Sequence, residues 1–161
     1  NIFHKYGEEK YARNIAKSIV KYRQSKPIET TLELVEIIKE SVPEKYKREK
    51  HPARKVFQAI RIEVNNELEN LSQALKDCVE NLITGGRIVV ISYHSLEDRI
   101  VKNFFRDYSR KCSCPPNFPK CMCGAIEKLK IITKKPIIPK KEELFRNIRS
   151  RSAKLRVAEK I

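Results

Sequence analysis

The stretch Gly85–Arg99, GGRIVVISYHSLEDR, decides how the chain folds. A glycine pair stops whatever precedes it, and Ile88–Ser92 is then a near-continuous apolar run of strand length. Polarity returns at His94-Ser95, and Leu96, Ile100, Val101, Phe104 and Phe105 resume at helical spacing. Upstream, Phe57, Ile60, Val64, Leu68, Leu71, Leu75, Val79 and Leu82 recur at intervals of three and four, which predicts one long amphipathic helix ending at Gly85-Gly86. Helix, doubly apolar strand, helix predicts an α/β protein whose sheet is parallel and covered on both faces. His94 and Ser95 then stand at the carboxyl end of a strand, where open α/β sheets bind ligands.

Outward from this unit, Tyr11, Ala12, Ile15, Ala16, Ile19 and Val20 share a helical face, and Thr30 with Glu33 has capping-box spacing before a helix that Pro43 stops. Residues 1–50 therefore read as a small all-helical unit, joined through a basic, flexible connector, PEKYKREKHPARK, to an α/β part over 51–161. Beyond the central helix the expected elements are a strand over Ile126–Thr133, a short helix near Glu142–Phe145 and a strand over Ala153–Ala158. In the last strand Ala153, Leu155 and Val157 alternate with Lys154 and Arg156, predicting one wet face. The glycines stand only at 7, 85, 86 and 124, so no strand–glycine-loop–helix unit is available to cradle a cofactor. The chain reads as the C-terminal part of a larger protein.

Charge narrows the function. The net charge is +15, and residues 105–161 carry 16 Lys/Arg against 5 Asp/Glu, whereas residues 1–104 carry 19 against 15. Such asymmetry is a footprint for a polyanion, nucleic acid being the commonest, with a solvated lysine-rich face as the plain competitor. No stretch has the length and apolarity of a membrane span, and no segment pairs a basic face with an exposed aromatic one, so neither a membrane span nor surface attachment is expected. Five cysteines without a secretory signal point to a cytoplasmic location. Four of them, Cys112, Cys114, Cys121 and Cys123 in a loop over 112–124, have the residue type for a closed structural zinc site. Packed reduced thiols and redox chemistry are the alternatives, because CxC departs from the commoner CxxC spacing. Cys78 lies in the helical stripe and reads as a buried core thiol.

Three separated motifs in order, HPARKVFQAIRIEVNNEL, GGRIVVISYHSLEDRIVKNFF and RSRSAKLRVAEK, resemble the RsmH (MraW) family, and the resemblance extends over essentially all 161 residues. It implies the C-terminal part of a class I, Rossmann-like methyltransferase sheet, residues 1–50 being the end of a helical insertion domain and the last strands a reversed hairpin. It also implies methylation of the N4 amine of a cytidine in small-subunit (16S) ribosomal RNA. S-adenosylmethionine would bind mainly upstream, so residues 1–161 alone are expected to be inactive. A non-catalytic basic RNA-binding or ribosome-associated module is the alternative, and a zinc-stabilised interaction domain a third.

The candidate residues divide by role. His94 and Ser95 lack the glycine-flanked elbow of a hydrolase nucleophile. They serve either as a helix cap, with Ser95 as N-cap and Asp98 three residues on, or as the wall of a substrate pocket; the resemblance favours the wall. Arg54, Lys55 and Arg61 fall near one helical face and are candidate phosphate contacts, a solvated helix start being the competing reading. With SAKLR as a family motif, Ser152, Lys154 and Arg156 are candidate RNA contacts, against edge-strand cations that only discourage aggregation.

Overall fold

A computed structural model describes residues 1–49, 51–110, 114 and 127–161. The chain divides between Glu67 and Leu68 into two compact units.

The first unit is helical: α1 (Ile2–Lys5), α2 (Ala12–Arg23), α3 (Thr31–Glu40), α4 (Glu44–Glu49) and α5 (Ala53–Val64). The expected capping box forms at the start of α3. Glu33 N donates to Thr30 Oγ1 at 3.2 Å, and Thr30 N donates to Glu33 Oε2 at 3.0 Å. Ile15, Ile38, Val42, Ala53 and Val56 are buried together as its core. The connector expected to be flexible is largely helical, as α4 and the start of α5. Pro43, preset for a helical start, precedes α4. Tyr46 then anchors the helix by packing edge-on against Tyr11 at 5.0 Å and donating to the buried Glu9 carboxylate at 2.8 Å. A polar composition predicted solvent, and one aromatic residue supplies the packing. α5 packs against α1 and α3, so the helix assigned to the 51–161 part belongs with the first unit.

The single helix predicted across Phe57–Leu82 is two. α5 ends at Val64, Asn66 adopts φ +50°, and α6 begins at Glu67. Asparagine tolerates the left-handed region, and the Arg61 guanidinium clasps both Glu67 oxygens across the break at 2.6 and 3.0 Å. Heptad-like apolar spacing continues through the break, so periodicity alone did not reveal it.

The second unit contains α6 from Leu68 on, β1 (Arg87–Ser92), α7 (Ser95–Tyr108), β2 (Leu129–Ile131), α8 (Lys141–Arg146), a 3-10 helix (Ile148–Ser152) and β3 (Lys154–Lys160). The sheet order is β1-β3-β2, with β3 antiparallel to both neighbours. The fold is mixed α/β and every described strand pairing is antiparallel: this agrees with the reversed last strands that the resemblance implies, whereas the parallel pairing read from the apolar run of β1 is not seen among the described residues. Gly85, at φ +82°, turns the chain into β1. Its N–H donates to Lys160 O at 2.8 Å, and Lys160 N returns a bond to Gly86 O at 2.8 Å, fixing the register of β1 on β3.

Leu75, Val79, Ile88, Val101, Phe105, Leu129 and Ala158 form the core between the sheet and its helices. Val89 and Ile91 project from the other face of β1, 56% and 53% exposed, so the described residues cover one face rather than two. Cys78 is also exposed, not buried: the covered line of α6 runs through Leu71, Leu75, Val79 and Leu82, with Cys78 at its margin. β3 alternates as predicted, but its "wet" face is the inner one. Arg156 and Ala158 are buried there, and Ser92 of β1 is buried too.

Candidate functional site

β1 delivers the chain to Tyr93 and His94, and α7 begins at Ser95. His94, rather than Ser95, is the N-cap, and Glu97, rather than Asp98, completes the box. Glu97 N donates to His94 Nδ1 at 3.4 Å, while Glu97 Oε2 accepts from His94 N at 3.1 Å and from Tyr93 N at 2.8 Å. The cap is therefore one residue earlier than the sequence suggests. An imidazole nitrogen can accept where a serine hydroxyl was expected to.

This cap locks the ring. Because Nδ1 accepts, the neutral tautomer that fits the network carries its proton on Nε2. Nε2 is buried and makes no hydrogen bond among the described residues. It lies 3.3 Å from Glu97 Oε1, close enough for electrostatic attraction to a protonated ring but not aligned as a hydrogen bond. Burial alone would raise the Glu97 carboxyl. The adjacent His94 ring and the two backbone N–H groups outweigh it and bring the pKa down to about 2. Ser95, the next residue, is exposed at the first position of α7.

The depressed Glu97 pKa gives a pH-dependent prediction. A carboxyl whose folded pKa lies below its unfolded value of 4.5 contributes its full stabilisation above that value, and loses it as pH falls toward about 2. Glu97→Gln keeps an acceptor oxygen but removes the charge. In urea titrations the variant should be less stable than the parent by about 1–2 kcal/mol near neutrality, allowing for partial exposure, and the gap should close on acidification through that window. A gap that is constant with pH would show that the charge is not what the cap uses.

One turn further, Asp98 points at β3. Its carboxylate accepts from Arg156 Nε at 2.7 Å and Nη2 at 3.3 Å, and from Lys154 Nζ at 3.2 Å. The Arg156 and Asp98 side chains are 9% and 12% exposed, so this is a buried bidentate pair, with the half-exposed Lys154 at its rim. Hydrogen bonding from Arg156 holds the Asp98 carboxyl below its usual range, against the opposing effect of burial.

The MraW methylase family model matches residues 1–161. The chain belongs to the MraW methylase family. Among its relatives, the ribosomal RNA small subunit methyltransferase H of Carboxydothermus hydrogenoformans is 59% identical over 160 residues, 99% of this chain and 51% of that protein. The protein of the same name from Clostridium botulinum (strain Loch Maree / Type A3) is 58% identical over 160 residues, again 99% of this chain and 52% of the relative. That of Paenibacillus sp. (strain JDR-2) is 55% identical over 161 residues, 99% of this chain and 51% of its own length. The chain spans about half the length of the curated relatives it matches.

Within this family member the predicted site residues are placed unevenly. His94 and Ser95 stand together at the strand end. Lys154 and Arg156 share Asp98, which puts Arg156 in a buried ion pair instead of on an open face. Ser152 is exposed at the end of the 3-10 helix. In the first unit, Arg54 is exposed, Lys55 donates to Glu8 O at 2.8 Å, and Arg61 is paired with Glu67, so the three do not form one open cluster. Cys112, Cys121 and Cys123 lie outside the described residues; Cys114 is half-buried. Sequence reasoning missed Glu97 as the cap partner, although it stands three residues after His94 as the box requires. Asp98 as the counterion of Arg156 had no local signal, being 58 residues away.

A methylase family implies S-adenosylmethionine as methyl donor, and the described residues do not fit its cradle. The chain after β1 runs Tyr93-His94-Ser95 into α7 without a glycine. Gly85 and Gly86 lie at the other end of the strand.

Proposed function

We propose that the intact protein to which these residues belong transfers a methyl group from S-adenosylmethionine to the N4 amine of a cytidine in small-subunit ribosomal RNA, in the cytoplasm. The family match and the names of the relatives support the reaction class and the RNA. The order β1-β3-β2, with the reversed strand in the middle, agrees with the closing strands of a class I methyltransferase sheet. The donor site falls outside residues 1–161 on this reading, so these residues alone are inactive.

The observation that carries the reading to a site is the His94 ring: fixed at the carboxyl end of β1, with an Nε2 that makes no aligned hydrogen bond among the described residues, its charged neighbour being Glu97 Oε1 at 3.3 Å. A buried N–H without an aligned acceptor costs stability, and a functional role is one reason for a fold to keep one. With Nδ1 occupied by Glu97 N–H, Nε2–H is a donor, suited to an acceptor on the edge of a cytosine ring. It holds the base in place; it does not take the proton that leaves the amine. The exocyclic amine is a weak nucleophile because its lone pair is delocalised into the ring, so alignment is the main contribution the protein can make. The hydroxyl of Ser95, the exposed residue that follows, offers a second polar contact.

The reading is tested by mass spectrometry of small-subunit RNA from cells with and without the gene. One cytidine should lose a single N4-linked methyl group in its absence and regain it on complementation. An unchanged modification pattern would refute the reaction and favour a non-catalytic RNA-binding module.

A further inference from the structure

The connector between β2 and β3, residues 132–153, does not enter the site described above, yet it holds the most exposed large apolar side chain among the described residues. Phe145 on α8 is 94% exposed, with Ile148 at 70%, Ile138 at 65% and Ile137 at 56% in the same connector. Seven cations surround them in sequence, Lys134, Lys135, Lys140, Lys141, Arg146, Arg149 and Arg151, against only Glu142 and Glu143. All seven are exposed, and none is ion-paired among the described residues.

The backbone that carries them is pinned. Ile137 and Leu155 exchange two bonds of 2.9 Å, Asn147 N donates to Glu143 O at 2.7 Å, and the buried Ser150 hydroxyl donates to Asn147 O at 2.8 Å. α8 packs on the 3-10 helix. Phe145 is therefore presented on a held framework.

We propose that this connector is a docking surface for a single-stranded segment of RNA, with an unpaired base stacked on Phe145 and the phosphates met by Lys140, Lys141, Arg146 and Arg149. Unpartnered cations call for a polyanion, and a lone exposed ring among them suits a splayed base, whereas bases in a duplex are already stacked. A membrane would need a longer apolar face than six-residue α8 offers. A protein partner would have to match the cation surplus with its own acids. The position also fits. Ser92 at the end of β1 pairs with Lys154 at the start of β3, so the connector enters the sheet at the same end as His94. RNA held there is led toward the ring. The proposal rests on the RNA-methylating reading and extends it to how the strand is held.

The test is fluorescence anisotropy of the intact protein with a short labelled single-stranded oligoribonucleotide, alongside the same sequence as a duplex. Phe145→Ala and Phe145→Leu should both weaken single-strand binding by roughly tenfold or more and leave duplex binding unchanged, while Phe145→Trp should retain it. Lys140→Gln with Lys141→Gln should flatten the salt dependence by about 1.4 units of slope. The surface assignment is overturned if Phe145→Leu binds like the parent, since an apolar contact would then suffice. It is equally overturned if Phe145→Ala lowers the melting temperature and leaves RNA binding intact, which would mark a protein contact. Single-strand binding that depends on Phe145, without any methyl transfer, would sink the proposed reaction and leave this surface standing. Methyl transfer with no effect of either variant set would do the reverse.

Discussion

Asp98→Ala should destabilise the fold by about 3–5 kcal/mol, a large part of the roughly 5–15 kcal/mol that holds a typical domain. The effect comes from what remains rather than from what is lost. Arg156 is 9% exposed and receives both its close contacts from one carboxylate, so the truncation leaves a buried guanidinium without a counterion. Asp98→Asn should be nearly as costly, because the amide keeps an oxygen but not the charge. Asp98→Leu combined with Arg156→Met should recover much of the loss, since replacing both members of a buried pair with apolar groups is often near neutral. Urea denaturation of the four proteins measures this. A cost below about 1 kcal/mol for Asp98→Ala would mean that water reaches Arg156. The same geometry separates Arg156 from the phosphate contacts proposed for the chain: Arg156→Ala should unfold the protein more easily, not change the salt slope of RNA binding.

On the methyl-transfer reading proposed above, His94→Ala in the intact protein should lower turnover by roughly tenfold to a hundredfold, the worth of one aligned hydrogen bond of about 1–3 kcal/mol, with the affinity for S-adenosylmethionine nearly unchanged. The variant also removes the N-cap of α7, which by itself costs about 1 kcal/mol of stability. His94→Asn separates the two roles. Asparagine is a good N-cap and should restore the melting temperature, but its short amide cannot reach where Nε2 stands, so turnover should stay low. Normal turnover in His94→Ala with a reduced melting temperature would show that the ring is a cap and nothing more. The pocket assignment would then fall.

Local chemistry was legible without coordinates wherever the cause was local. The Thr30–Glu33 box, the stop before Pro43, the glycine turn at Gly85-Gly86, the short helix around Glu142–Phe145 and the alternation in the last strand all depend on residues a few positions apart. The break at Asn65–Asn66 is local too, but its signal is weak: the apolar spacing runs through it, and two asparagines tolerate the left-handed turn without requiring it. The helical α4 needed Tyr46 to find Tyr11 and Glu9, some 35 residues earlier. Composition, which reads as loop, says nothing of that contact.

What the sequence determined alone was the family, the basic C-terminal third, and a polar corner at His94-Ser95 after an apolar strand. Tertiary structure decided which face of β3 is inside. A period of two specifies that Lys154 and Arg156 share a face, and two faces satisfy it equally. Asp98, brought over them by α7, makes the charged face the buried one by neutralising Arg156. It also decided that His94 caps the helix through Nδ1 while its Nε2 makes no hydrogen bond among the described residues. A motif three residues long allows either nitrogen, and either neighbouring carboxylate, to close the box. The backbone direction at the end of β1 selects Glu97 and leaves Asp98 for β3.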